Sequence, residues 1–314
     1  MKRWRAVNLF TPAEVQRAFA ALRQHAETLF GVSDAKTPLY SFIHRRGGAG
    51  GYRRDHIELP LHLMYEGNVV YQQLPAEVRL VCAGLHEAAL GYAREALHEG
   101  PGVSAAARRE ILNNLGRKSV VRVLRYPAGS GCRPHVDPGL CTALLLGSAG
   151  GLEVSTANTL ATLRANQLRS CKHHLDSLPT FLQNEEANMP ATLPHWESVV
   201  TTHIGEAVVM AGSMLGVVSG GALPGVLHRV RQDWAVTTPH RDGLFDPPAR
   251  TASIASEAGA SNNKGSVAFR FNVIVELRPE DAKRWYAAAS GQPPTAPLAS
   301  TSPLMWGEEP CVVH

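Results

Sequence analysis

Three side chains able to hold a metal ion occur in a suggestive order along this 314-residue chain. His135 and Asp137 stand two apart in Arg133-Pro134-His135-Val136-Asp137. Residues two apart on an extended strand share a face, so this imidazole and this carboxylate can address one ion together. With 14 histidines in the chain, chance alone supplies on the order of 0.4 such triplets, so the triplet needs company. The company is His228, which lies in Val226-Leu227-His228-Arg229-Val230 and shares its strand face with Val226 and Val230. A single histidine on an apolar strand reads as a core residue. One that follows an H-x-D strand after several intervening strands completes a two-histidine, one-carboxylate donor set with open positions opposite. Further along, Arg270 stands among alternating apolar residues, and its guanidinium offers a two-pronged fork matched to a carboxylate.

These residues need rigid strands to hold them. Ser119 to Tyr126, Ala143 to Leu146, Gly151 to Ser155, His195 to Ile204, Glu206 to Met210, Gly225 to Val230 and Ser266 to Leu277 are β-branched, alternating and punctuated by Gly or Pro. Short strands with regular turns predict a mainly β fold with flanking helices, built on a double-stranded β-helix or jelly roll. In the last strand Val267, Phe269, Phe271, Val273, Val275 and Leu277 form one face, and Ala268, Arg270, Asn272 and Glu276 fill most of the other. One face must pack on a core, while the polar face is positioned to line a site. Before residue 118 the pattern is mostly helical: Thr11-Pro12-Ala13-Glu14 starts an amphipathic helix, and Leu74 to about His98 and Ser104 to Leu115 are rich in Ala, Leu and Glu. The expected organisation is an N-terminal helical region at 1–117 packed on a catalytic core at 118–286. Polar insertions at 157–194 and 237–265 interrupt that core, and a low-complexity tail follows at 287–314.

Composition narrows the function. A net charge of +4 from 31 basic and 27 acidic residues is too slight for a nucleic-acid surface and points to small molecules. Five cysteines, widely spaced and without C-x-x-C, exclude a disulfide framework and fit a reducing, cytoplasmic setting. The basic start Met1 to Arg5 leads into no signal-peptide core. Ala207 to Leu227 carries no charge over a membrane-spanning length, but its glycines, its serines and Pro224 read as strand, turn and strand of a soluble core. His173-His174 with Asp176, and His195 with His203, read as solvated histidines. Cys132 and Cys141 read as packing residues. Arg45-Arg46 and Arg53-Arg54 read as solvated faces, or as the approach for an anionic substrate. Nothing in the sequence fixes an oligomeric state.

Taken in order, Val121 to Pro127 (VRVLRYP), His135-Val136-Asp137, Leu144 to Val154 (LLLGSAGGLEV) and Gly205 to Val230 (GEAVVMAGSMLGVVSGGALPGVLHRV) resemble the isopenicillin-N-synthase-like branch of the 2-oxoglutarate and Fe(II)-dependent dioxygenases. Gly51-Tyr52 with Glu58 is similar to a segment of that family's N-terminal region. The resemblance implies that His135, Asp137 and His228 hold Fe(II). It implies 2-oxoglutarate as cosubstrate, its distal carboxylate on Arg270 with Tyr126 and Asn272 nearby, and O2 as oxidant. The products would be succinate, CO2 and an oxidised, in most cases hydroxylated, small molecule. Two departures stand out: the family's Arg-x-Ser is Arg270-Phe271-Asn272, and an asparagine two residues before the tyrosine is Leu124. They keep two other readings open, a 2-oxoglutarate-independent Fe(II) oxidase or cyclase on the same scaffold, and a catalytically silent metal- or carboxylate-binding protein. A second arginine six residues after the first, which the nucleic-acid repair oxygenases carry, is Glu276 here.

Overall fold

The computed structural model describes residues 2–31, 39–46, 53–64, 67–99, 103–146, 151–155, 195–201, 203–232 and 269–280. The two insertions, the tail, Gly51-Tyr52 and the His173-His174-Asp176 cluster lie outside these described residues.

Among the described residues eleven strands form two antiparallel sheets. The larger sheet has the order β1 (Trp4–Asn8), β9 (Glu206–Ala211), β6 (Cys141–Leu145), β11 (Phe269–Leu277), β4 (Val120–Pro127), β3 (Arg54–Pro60), β2 (Ile43–Arg46). The smaller has β5 (Cys132–His135), β10 (His228–Val230), β7 (Leu152–Ser155), β8 (Trp196–Ser198). The jelly roll expected from the strand pattern is therefore present. Three strands, β1 to β3, come from the region expected to be mostly helical and extend both ends of the large sheet. Their segments are short and rich in Arg and His, so the β-branched signature that marks β4, β9 and β11 is weak there.

The helices cover one face of the large sheet. Helix α1 (Pro12–Gln24) begins with a full capping box, in which the Thr11 side chain accepts from the Glu14 amide and the Glu14 carboxylate accepts from the Thr11 amide. It buries Val15, Ala18, Phe19 and Leu22. A short α2 (Ala26–Phe30) follows. The long α3 (Ala76–Glu99) packs on β11, β6, β9 and α1, and α4 (Ala105–Asn113) is capped by the Ser104 hydroxyl. The Tyr92 hydroxyl on α3 donates toward the Lys2 and Arg3 carbonyls and ties the start of β1 to this layer. Phe271, Val273, Val275 and Leu277 of β11 are buried and supply the face that meets the helices. The uncharged stretch 207–227 forms β9, then a short helix α5 (Ser213–Val218), then the approach to β10. Its middle is thus helical where a turn was expected, because the Ser213 and Met214 amides are drawn to the Asp137 and Gly139 carbonyls. No helix among the described residues is long and apolar enough to cross a membrane.

The opposite face of the large sheet is polar although it is equally buried. Pairing registers put Arg270 opposite Tyr126, Asn272 opposite Leu124 and then His56, Ile274 opposite Arg122 and then Glu58, and Glu276 opposite Thr142. Residues opposite one another share a face. Glu276 is fully buried and sits at the centre of a network. It accepts from Arg122 at 2.8 Å, from Arg278 at 2.7 Å and from the Gly139 amide at 2.8 Å, while Arg122 also reaches Glu58 at 2.5 Å. Removing one member of a buried charge network strands the others. Glu276→Ala should therefore lower unfolding stability by about 3 kcal/mol in urea titrations. Glu276→Gln should recover part of the loss by still accepting from Gly139.

Candidate metal and carboxylate site

Local backbone contacts fix where the H-x-D segment can go. After Asp137 the chain turns through Pro138 and Gly139 against the end of β11: the Leu140 amide donates to the Leu277 carbonyl at 2.7 Å. A Cβ on Gly139 would lie 2.5 Å from that same carbonyl oxygen, and one on Gly212 would collide with the Gly139 carbonyl, so only glycine fits at either place. The start of α5 completes the clamp, with the Ser213 amide donating to the Asp137 carbonyl at 2.8 Å. Asp137 is thereby held between the two sheets.

His228 is the register partner of His135 across the β10–β5 pair, and on its other side it faces Val154 of β7. The two imidazole centroids are 4.2 Å apart. His135 Nε2 is 3.7 Å from Asp137 Oδ1, and His228 Nε2 is 3.9 Å from Asp137 Oδ2. These gaps are too long for direct hydrogen bonds. One donor atom from each of the three residues nonetheless lies within 4.8 Å of the others, the one such group among the described residues. The outer contacts set the tautomers. His135 Nδ1 is 2.8 Å from the Arg133 carbonyl and His228 Nδ1 is 3.0 Å from the Val226 carbonyl, so each Nδ1–H donates to backbone and each Nε2 is turned toward Asp137. The Thr142 hydroxyl donates to Asp137 Oδ2 at 2.6 Å and orients the carboxylate. This donor set fits a first-row divalent cation with N and O ligands.

Electrostatics agree with that fit. Burial pushes the His228 imidazole down to about 4, leaving it neutral and able to ligate. Burial would raise the Asp137 carboxyl, but His228, His135, the Thr142 hydroxyl and Arg122 together hold it below the usual carboxylate range. His135 is likewise opposed by burial, yet the Cys132 sulfur and then Asp137 lift it to about 9, so it is protonated at neutral pH and would release that proton on ligating a metal. The His135 side chain is 37% exposed against 7% for His228, so the site opens on the His135 side.

Arg270 is fully buried on the inner face of β11, within electrostatic reach of Cys132, which itself borders His135. None of its three guanidinium nitrogens has a hydrogen-bond partner among the described residues. Its Cζ lies 5.6 Å from the centroid of the Tyr126 ring. Burial pulls the guanidinium down to about 10, which leaves it charged at neutral pH. The protein carboxylates that might have neutralised it are engaged elsewhere: Glu153 binds Arg229 at 2.6 Å, and Glu206 accepts from the His203 amide at 3.1 Å. A buried, unpaired guanidinium is costly, so Arg270 calls for an anionic partner beyond the described residues.

Every site residue expected from the sequence lies in this region. His135, Asp137 and His228 converge, Arg270 and Tyr126 stand side by side, and Asn272 follows Arg270 on the same buried face, opposite Leu124. His195 and His203 are exposed and outside the donor group. Cys141 is a packing residue, its thiol directed to the Ala89 carbonyl. Cys132 and Arg54 differ from expectation. Cys132 lies 3.7 Å from His135 Nδ1 and accepts from Arg54 Nη1 at 2.8 Å, so it borders the site. Arg54 is half-buried on β3 and does not lie on a solvated face. The alternation of Arg54-Asp55-His56-Ile57-Glu58 was the available signal for Arg54, while Thr142 gave none, since a threonine in a strand is ordinary.

No family model matches the chain, and no curated protein matches it in sequence. Solved structures match it in fold. A full-length Neurospora crassa protein in complex with alpha-KG has a TM-score of 0.51 at 13% identity, covering 88% of this chain and 75% of that one. The same protein with alpha-KG and thymine gives 0.50 at 13% identity over 88% and 76%. The rice dioxygenase for auxin oxidation gives 0.49 at 16% identity over 89% and 74%. The chain shares the jelly-roll fold of the Neurospora protein, with antiparallel sheets and flanking helices.

The Thr142 contact generates a prediction. Thr142→Val keeps the shape and removes the hydroxyl that orients Asp137, and loss of such an outer contact weakens metal binding by roughly 10- to 100-fold. Titration of Mn(II) or Co(II) into the variant checks this, with Asp137→Ala as the reference for complete loss.

Proposed function

We propose that the chain is an Fe(II)- and 2-oxoglutarate-dependent dioxygenase that oxidises a small molecule, most simply by hydroxylation, and that it belongs to the isopenicillin-N-synthase-like branch. The observation that carries the cosubstrate assignment is Arg270, a completely buried cation without a hydrogen-bond partner among the described residues, in a chain that also assembles a two-histidine, one-carboxylate donor set. His135, Asp137 and His228 would hold the iron, and Arg270 with Tyr126 would take the distal carboxylate of 2-oxoglutarate. Iron and 2-oxoglutarate supply O2 activation and the oxidising power to attack a C–H bond. The overall change is then one O2 split between succinate and product, with release of CO2.

The chain's own part is to orient and shield. The two Nδ1–H bonds to backbone fix the imidazole planes, Thr142 fixes the carboxylate, and the low exposure of Asp137 and His228 keeps water from their side of the site. That the Neurospora protein of the same fold is bound to alpha-KG, and in one structure also to thymine, supports a small-molecule substrate. The cysteine usage supports a cytoplasmic location. The insertions enter the fold beside the site: the one at 157–194 connects β7 to β8 just beyond Val154, the register partner of His228, and the one at 237–265 leads into β11 just before Arg270. We assign both to control of substrate access.

Replacing Arg270 by Leu tests the reading. The variant should bind 2-oxoglutarate roughly 100-fold or more weakly, because a desolvated charge pair is lost. Its affinity for Mn(II) should stay that of the parent, since the triad is untouched. Calorimetric titration of each ligand measures both. Unchanged 2-oxoglutarate binding would move the 2-oxoglutarate-independent oxidase ahead.

A further inference from the structure

Of the arginines on the inner face of the large sheet, Arg54 is the second without a carboxylate partner among the described residues. Arg122 has Glu58 and Glu276. Beside Arg54 stand the Cys132 sulfur at 2.8 Å and the Tyr126 hydroxyl within hydrogen-bonding reach. Its place follows from the register. Asp55 is opposite Arg125 and Arg270 is opposite Tyr126, so Arg54, Tyr126 and Arg270 fall in one row across β3, β4 and β11. Tyr126 is the middle member and is 2% exposed, with a guanidinium on each side.

This row constrains the Tyr126 proton. A phenol carries one O–H and can accept at its oxygen, whereas a guanidinium only donates. When Arg54 donates to the oxygen, the O–H must find an acceptor elsewhere, and its neighbour Arg270 has none to offer. This row therefore presents the N–H groups of Arg270, unsatisfied among the described residues, and one O–H of Tyr126, all donors. A carboxylate, which only accepts and has room for about four hydrogen bonds, is the complementary group.

We propose that Arg54 is a positioning residue for the carboxylate seat: by donating to the Tyr126 oxygen it turns the Tyr126 O–H toward the carboxylate that Arg270 binds. The proposal rests on the assignment of Arg270 to the distal carboxylate of 2-oxoglutarate. It adds a determinant from the N-terminal strand β3, three strands along the sheet from β6 and Thr142.

The experiment is calorimetric titration of the Mn(II)-loaded protein with 2-oxoglutarate and, separately, with pyruvate, which has the same 2-oxo acid end and no distal carboxylate. Arg54→Gln and Tyr126→Phe should each weaken 2-oxoglutarate roughly 10- to 100-fold, the value of one hydrogen bond to a charged group. Both should bind pyruvate and Mn(II) as the parent does. Because Arg54 acts through the Tyr126 hydroxyl, the double variant should be little weaker than Tyr126→Phe alone, and Arg54→Lys should recover part of the loss. Tyr126→Phe keeps the ring and provides the readout should Arg54→Gln not fold. Binding of 2-oxoglutarate within twofold of the parent in both single variants overturns the proposal. So does an equal loss for pyruvate and Mn(II), which would make Arg54 a structural support of Cys132 and His135. If Arg270→Leu also binds 2-oxoglutarate normally, the failure belongs to the cosubstrate assignment and not to Arg54.

Discussion

A strand buried on both sides must find partners for every polar group that its alternation turns inward, and β11 turns Arg270, Asn272 and Glu276 to one side. Its opposite side, Phe271 to Leu277, is apolar and lies in the helix-facing core. Glu276 finds its partners within the chain, in Arg122, Arg278 and the Gly139 amide. Arg270 finds none among the described residues. One end of the strand is thus a closed charge network that stabilises the sheet, and the other is a buried charge left open among the described residues. Both follow from a single two-residue alternation.

The closed end also serves the open one. Glu276 accepts from the Gly139 amide, and Gly139 lies two residues beyond Asp137. The Leu277 carbonyl holds Leu140 in the same turn. The position of the Asp137 carboxylate therefore depends on the strand that also carries Arg270. The triad is assembled across both sheets: His135 and His228 belong to the small one, and Asp137 is held by Thr142 of the large one. Any sliding of one sheet over the other would separate the donor atoms. The close approach of backbone at Gly139 and Gly212 opposes such sliding.

Much of this was legible in the sequence. Alternation over Phe269–Leu277 and Val120–Pro127, the capping box at Thr11 and the Ala- and Leu-rich run of α3 all express local preferences that the tertiary structure reinforces. The order of H-x-D and His was enough to expect the three side chains that the structure brings together. Strands β1 to β3 and β5 were less legible because they are short, rich in charged residues or broken by Pro134, and owe their extended form to pairing with neighbours distant in sequence. The same reason hid Arg54. Two adjacent arginines look like a solvated face until the register with β4 is known, and register is a long-range property. Helix α5 was hidden because its first turn is set by carbonyls of the Asp137 turn more than seventy residues away, not by its own Gly- and Ser-containing sequence.

The attachment points of the two insertions carry a consequence for how this scaffold can diversify. Each begins and ends at strands whose neighbouring residues are committed to the chemistry: Ser155 and Trp196 pair directly at one neck, and at the other the chain leaves after Val230 and returns at Phe269. At the first neck, where the flanking strands pair, lengthening the segment between them costs loop-closure entropy of about 0.6 kcal/mol for each doubling of length. Such a cost falls on neither the triad nor the arginine row. Under the proposed function, substrate preference would drift through changes in these segments while the iron and cosubstrate contacts stayed under strict constraint, so one sheet pair would give rise to many specificities without being rebuilt.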